Sequence, residues 1–255
     1  MEFPKHIIES KVMPDFDLAV TINRHGPKQG MDGPLSEQGI QETEEYFSDA
    51  YKNVVIDPYR KRRVIASPKE RANQTARIYE KVLERNNSAE SVEVETNEFL
   101  NEGDIMTFYN SLTSDEQKNW FKYWHDGSKE LSPNAPEFKK VVQGFFSWFL
   151  TEIKKVKITG GNLDIDAFSH GPLMGAVLLS LEDELGEEII TSPNIRDGRI
   201  DRTKIFDLYN GQLRALQNIN FYINSKEPEI IKLSVLGKVI SIPIRVLEKL
   251  AGVES

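Results

Sequence analysis

Asp17-Leu18-Ala19-Val20-Thr21-Ile22-Asn23-Arg24-His25-Gly26 is the stretch that decides how this chain folds. Residues 18–22 have the length and apolar content of a buried strand, and the run stops abruptly at an arginine, a histidine and a glycine. A strand end holds side chains rigidly. The glycine lets the backbone turn sharply or approach a ligand, while the two side chains offer a permanent cation and a nucleophilic nitrogen. Two further strand-like runs end in similar company. Val64 to Ala66 leads into Ser67-Pro68-Lys69-Glu70-Arg71-Ala72, and Leu163 to Phe168 leads into Ser169-His170-Gly171.

These runs alternate with helical patterns, which predicts an α/β fold: a three-layer sandwich around a mostly parallel sheet. Ser67 is positioned to cap the helix after the second strand, with Pro68 at its first position and Glu70 completing a capping box. Ala72, Ala76, Tyr79 and Leu83 keep helical spacing along it, so Arg71 falls in a first turn whose free amides favour an anion. Ser36 caps a second helix through Ile40, Thr43 and Phe47, weakened by Gly39. From Glu137 to Lys155 a wide face of Phe, Val, Leu and Ile reads as a core helix. Residues 103–135 change character, with Trp120, Phe121, Tyr123 and Trp124 set among polar residues. They are read as a small helical cap inserted in a single domain spanning 1–255. Further on we expect a polar loop at Asp197-Gly198-Arg199 and a helix from Lys204 to Leu216. Strands at 230–235 and 239–242 should follow, joined by a turn at Leu236-Gly237-Lys238, and then a terminal helix after Pro243.

The chain of 255 residues contains no cysteine, which excludes thiol catalysis, cysteine-bound metal and disulfides, and suits a reducing cytoplasm. Acidic residues outnumber basic ones, 40 to 32, and the net charge of -8 opposes a broad nucleic-acid or anionic-membrane surface. No apolar stretch approaches the roughly 18 residues of a membrane span, and the first residues do not follow the pattern of an export signal. We therefore expect a soluble cytoplasmic protein without nucleic-acid or membrane partners. Arg60-Lys61-Arg62-Arg63 reads as a solvated loop before the Val64 strand, and His125 as a surface histidine beside packed aromatics. Lys28, close behind the first motif, is equally suited to exposure and to substrate contact.

Phosphoryl transfer through histidine requires a neutral imidazole nitrogen in line with phosphorus, cations around the equatorial oxygens and an acid for the leaving oxygen. Arg24 and Arg71 are able to fork onto phosphate oxygens. His170 and the amide of Gly171 complete the pocket, and Pro172 marks a helix that starts just beyond, aiming another N-terminus at the anion. In open α/β sheets ligands gather beyond the carboxyl ends of strands, where all three motifs lie.

Arg24-His25-Gly26, Leu35-Ser36-Glu37-Gln38-Gly39, Ser67-Pro68 with Arg71-Ala72 and Gln74-Thr75-Ala76, and Ser169-His170-Gly171 occur in an order and spacing that resembles the histidine phosphatase superfamily. The resemblance covers about residues 16–185. It implies that His25 becomes phosphorylated, that Arg24, Arg71 and His170 bind the phosphoryl group, and that a hydrolytic member uses no metal or organic cofactor. It also implies a carboxylic acid in the segment Glu98-Phe99-Leu100-Asn101-Glu102-Gly103, where Glu102 is favoured, Glu98 is the reserve and Asp104 a further alternative. The expected activity is hydrolysis of a small phosphorylated metabolite. The continuation Pro27-Lys28-Gln29-Gly30, and Ala72-Asn73-Gln74-Thr75 after the second arginine, depart from the mutase pattern. A phosphoglycerate mutase-type transferase and a non-catalytic phosphate binder are the alternatives.

Overall fold

A computed structural model describes residues 16–30, 33–52, 60–87, 92–131, 135–159, 162–186, 218–235 and 238–253. Seven strands form one sheet in the order β3-β2-β4-β1-β5-β6-β7. β1 (Leu18–Arg24), β2 (Lys61–Ala66), β3 (Val94–Thr96) and β4 (Leu163–Ser169) run parallel. β5 (Asn218–Ile223), β6 (Ile230–Val235) and β7 (Lys238–Pro243) continue the sheet antiparallel from the other side of β1. The expected α/β architecture around a parallel sheet is observed in the centre, β3-β2-β4-β1, and β5 to β7 add an antiparallel half. The polar loop at 197–199, the helix from 204 to 216 and residues 236 and 237 of the last hairpin lie outside the described residues.

Strand alternation separates two apolar layers. Val64, Ala66 and Phe168 face α1 (Glu37–Tyr51) and α2 (Glu70–Asn87), which bring Phe47, Ala72, Ala76, Tyr79 and Leu83. Leu18, Val20, Ile22, Ile65, Ile165 and Ala167 belong to the larger cluster with α5 (Phe138–Thr159) and α6 (Gly171–Leu185). Phe145, Phe146 and Phe149 of α5 are wholly buried there, as their spacing predicts. Between β3 and α5 come two short helices, α3 (Ile105–Ser111) and α4 (Trp120–Asp126), whose Phe108, Phe121 and Trp124 join the same cluster. His125 of α4 reaches Asp183 of α6 at 2.8 Å and meets Phe138 edge-on. The chain closes with α7 (Ile244–Leu250), started by Pro243. Among the described residues no helix is long and apolar enough to cross a membrane.

Ser36 caps α1 as expected, accepting a hydrogen bond from Gly39 N–H at 2.9 Å. Gly39, which weakens the helix on propensity, is required by packing: a Cβ there would stand 1.9 Å from the Pro27 carbonyl oxygen. The start of α2 differs from expectation. The helix begins at Glu70, not beside Ser67, and the Glu70 carboxylate accepts from Gln74 rather than closing a capping box.

The basic run before Val64 is not a solvated loop. β2 starts at Lys61, and Arg60 and Arg62 bind Asp164 while Arg62 also faces Asp166 at 3.4 Å. Arg63 joins Glu95 and the buried Glu152. Asp166 is buried and also accepts from Tyr79 Oη at 2.8 Å; desolvation raises its pKa against the opposing pull of Arg62 and that hydroxyl. Removing Asp166 leaves Arg62 with Asp164 at 3.3 Å as its remaining carboxylate and takes an acceptor from Tyr79 Oη. Asp166→Ala is therefore expected to destabilise the fold by about 3 kcal/mol, read from the midpoint of chemical denaturation.

Candidate active site

The parallel strands deliver the three motifs to one edge of the sheet. β1 and β4 pair from Leu18 with Leu163 to Arg24 with Ser169, and His25 N–H extends the ladder to the Ser169 carbonyl at 3.0 Å. Ser67 N–H likewise reaches the Phe168 carbonyl at 2.9 Å. The Ser169 hydroxyl donates to the Leu100 carbonyl at 2.7 Å, which ties the segment carrying Glu102 to the end of β4. Gln74 and Thr75 hold the loop after His25. Thr75 Oγ1 accepts from Gly26 N–H and donates to the Arg71 carbonyl, while Gln74 Oε1 accepts from Leu35 N–H. A Cβ on Gly26 would lie 2.1 Å from Thr43 Oγ1, so only glycine lets that loop settle against α1.

His25, Arg71, Glu102 and His170 are all buried and come together at this edge. His25 Nδ1 is 2.6 Å from the Gly26 carbonyl oxygen. Since a carbonyl only accepts, Nδ1 carries the proton and Nε2 presents a lone pair, to which Arg71 Nε donates at 3.1 Å. The two imidazole rings stand 5.2 Å apart. Arg24 lies against Gly171 at the start of α6: a Cβ on that glycine would sit 3.5 Å from the guanidinium carbon. Burial, and then the charge of Arg71, lower Arg24's affinity for its proton, with Glu102 opposing. A guanidinium nevertheless stays charged.

Burial also depresses the His25 pKa to about 3, with Arg71, Arg24 and Lys28 adding to the effect against the Gly26 carbonyl bond. For His170 desolvation dominates again and pushes the pKa well below its usual value. Both imidazoles are therefore neutral at pH 7. In the unfolded chain they take up protons below pH 6.5, so acid favours unfolding. Stability should fall as pH drops from about 6.5 toward 3, by up to about 1.4 kcal/mol per pH unit for each histidine. Thermal melts of the protein and of His25→Asn from pH 7.5 to 4.5 test this: the variant should lose stability less steeply.

Of the three carboxylates considered, the structure brings Glu102 to the site. It is 1% exposed, with Oε2 at 3.9 Å from His170 Nε2 and Oε1 at 3.7 Å from Arg71 Nη2. Glu98 is exposed in the 3-10 turn Glu98–Leu100, and Asp104 caps α3 through Thr107 N–H. Lys69 is a site residue missed by sequence reading. Its ammonium donates to Glu102 Oε1 and to the Gly103 carbonyl, each at 2.9 Å. Its place between Pro68 and Arg71 in the second motif was the available signal. Lys28 is half-buried and bridges to Leu35, near enough for its charge to act on both histidines.

Three buried polar atoms at this edge have no hydrogen-bond partner among the described residues: Arg24 Nε, Glu102 Oε2 and His170 Nδ1. Desolvated polar atoms left unpaired are costly, and one of them, Glu102 Oε2, stands 3.9 Å from the His170 ring. A cleft of about 340 Å³ opens beside them, lined by Lys69, Glu70, Arg71, Asn101, Gly103 and Asp104. Among the described residues no cluster of three or more His, Asp or Glu side chains is arranged to hold a metal ion.

Arginines and histidines gathered at the carboxyl ends of parallel strands in an α/β sheet are a chemistry suited to anions. The family follows from comparison: residues 20–203 match the model of the histidine phosphatase superfamily (branch 1), and the chain belongs to that superfamily. A search of curated protein sequences finds no match. Among solved structures, the chain is similar to Bacillus stearothermophilus YhfR, at 15% identity and a TM-score of 0.52, over 88% of this chain and 98% of that one. It is also similar to a mycobacterial glucosyl-3-phosphoglycerate phosphatase, at 12% identity and a TM-score of 0.51, over 86% and 98%. A third is a putative alpha-ribazole-5'-P phosphatase from Escherichia coli K-12, at 18% identity and a TM-score of 0.50, over 87% and 96%. At these identities the likeness is one of fold.

Proposed function

We propose that the protein is a phosphomonoester hydrolase that works through a phosphohistidine on His25 and acts on a small phosphorylated metabolite. The observation that carries this reading is the state of His25: neutral, with Nδ1–H committed to the Gly26 carbonyl and the Nε2 lone pair turned toward Arg71. That nitrogen attacks phosphorus while the bond to the ester oxygen breaks. Arg24 and Arg71 hold the equatorial oxygens, and His170 with the Gly171 amide completes their shell. Glu102 passes a proton from Oε2 to the departing alkoxide. The resulting carboxylate then takes a proton from water, whose oxygen displaces His25 from phosphorus and releases orthophosphate. When Arg71 turns to phosphate, its bond to His25 Nε2 is given up, which frees the nucleophile. Lys69 holds the other oxygen of Glu102 and keeps Oε2 turned to the reaction.

The adjoining cleft is lined by Lys69, Glu70, Arg71, Asn101 and Asp104, which offer hydrogen-bonding groups to a hydrophilic leaving alcohol. A panel of sugar phosphates, phosphoglycerates, nucleotides and phosphopeptides, assayed for orthophosphate with and without chelator, tests the reading. Release that is insensitive to chelator is expected. Conversion of 3-phosphoglycerate to 2-phosphoglycerate without orthophosphate would establish a mutase instead.

A further inference from the structure

Ser67 does not cap α2, which leaves the task of its hydroxyl to be explained. Ser67 and His170 are both almost wholly buried, and Ser67 Oγ lies 2.8 Å from His170 Nε2. The Lys69 N–H approaches the same Oγ from its acceptor side at 3.4 Å. Among the described residues no other acceptor is recorded for the Ser67 proton. A buried hydroxyl proton left unpaired is costly, so the arrangement favours Ser67 as donor and Nε2 as acceptor.

The consequence falls on the other side of the ring. His170 is neutral and carries one ring proton. If Nε2 accepts, the proton is on Nδ1, a buried atom with no hydrogen-bond partner among the described residues. A neutral imidazole has no charge to offer a phosphate. It contributes only by presenting an N–H, and a bare lone pair in the same place would repel the anion.

We propose that Ser67 is a positioning residue whose hydroxyl fixes His170 in the Nδ1–H form, so that an uncharged histidine donates a hydrogen bond to the phosphoryl group. The groups that face His170 are consistent with this arrangement. Glu102 Oε2, at 3.9 Å from Nε2, is too far to accept from it. Burial above all, and then His25, Arg71, Lys69 and Lys28, keep a second proton off the ring. The phosphoryl-binding half of the inference rests on the function proposed above, while the tautomer half does not.

Long-range nitrogen-to-ring-proton NMR on the ¹⁵N-labelled protein reads the tautomer directly, with the His170 signals assigned by their loss in His170→Asn. The free protein should show Nδ1 protonated and Nε2 bare at pH 7. Ser67→Ala should move the population toward Nε2–H and weaken orthophosphate binding about tenfold. An Nε2–H ring in the unaltered protein overturns the proposal, and so does an unchanged tautomer in Ser67→Ala. If that variant does not fold, the unaltered protein's spectrum alone decides. Failure of orthophosphate to bind the unaltered protein would instead count against the proposed phosphatase, leaving the tautomer result to be read by itself.

Discussion

His25→Ala should lower orthophosphate release from p-nitrophenyl phosphate and from alkyl phosphates alike by more than about a thousandfold, the scale on which loss of a covalent nucleophile acts. The reason lies in the geometry. Arg24, Arg71 and His170 remain to bind the anion, but the imidazole whose Nδ1–H is committed to the Gly26 carbonyl is gone. Binding should therefore persist while turnover stops. Orthophosphate affinity within about tenfold of the parent, measured by calorimetry, would separate loss of the nucleophile from loss of the fold. Retention of activity would remove His25 from the reaction.

Glu102→Gln should separate the two chemical steps. An alkoxide is a poor leaving group without a proton, so kcat/KM for an alkyl phosphate should fall by about 100 to 10,000-fold, the usual worth of a general acid. p-Nitrophenolate leaves unaided, and kcat/KM for its ester should change less than about tenfold. The second step still needs a base to activate water, so that ester should give a burst of one p-nitrophenolate per chain followed by slow turnover. Equal losses on both substrates with no burst would assign Glu102 a charge-pairing role with Lys69 and Arg71, the cations nearest to it.

Much of the site was readable because strand ends announce themselves in one dimension. An apolar run that stops at Arg24-His25-Gly26 or Ser169-His170-Gly171 specifies both the buried strand and the side chains at its exit. Parallel register then brings those exits together. What stayed hidden depended on partners far along the chain. Ser67 followed by Pro68 and Glu70 looks locally like a helix cap, and only the fold reveals His170 beside its hydroxyl. Arg62 looks solvated until β4 supplies Asp164 and Asp166 across the sheet. The choice among Glu98, Glu102 and Asp104 turned on offsets of four and two residues around a 3-10 turn, which leave one carboxylate buried and the others exposed. Lys69 was passed over because its use is defined by that same carboxylate.

The central claim is that phosphorus is bonded to His25 during turnover. It is tested most directly by mixing the protein with p-nitrophenyl phosphate, quenching within milliseconds in alkaline denaturant and mapping the phosphoryl group by peptide mass spectrometry. A phosphoryl group on His25, stable to base, lost in mild acid and absent from His25→Ala, is the predicted result. Turnover with the phosphoryl group on another side chain, or with no trapped phosphoenzyme from either the parent or the Glu102→Gln protein, would contradict it.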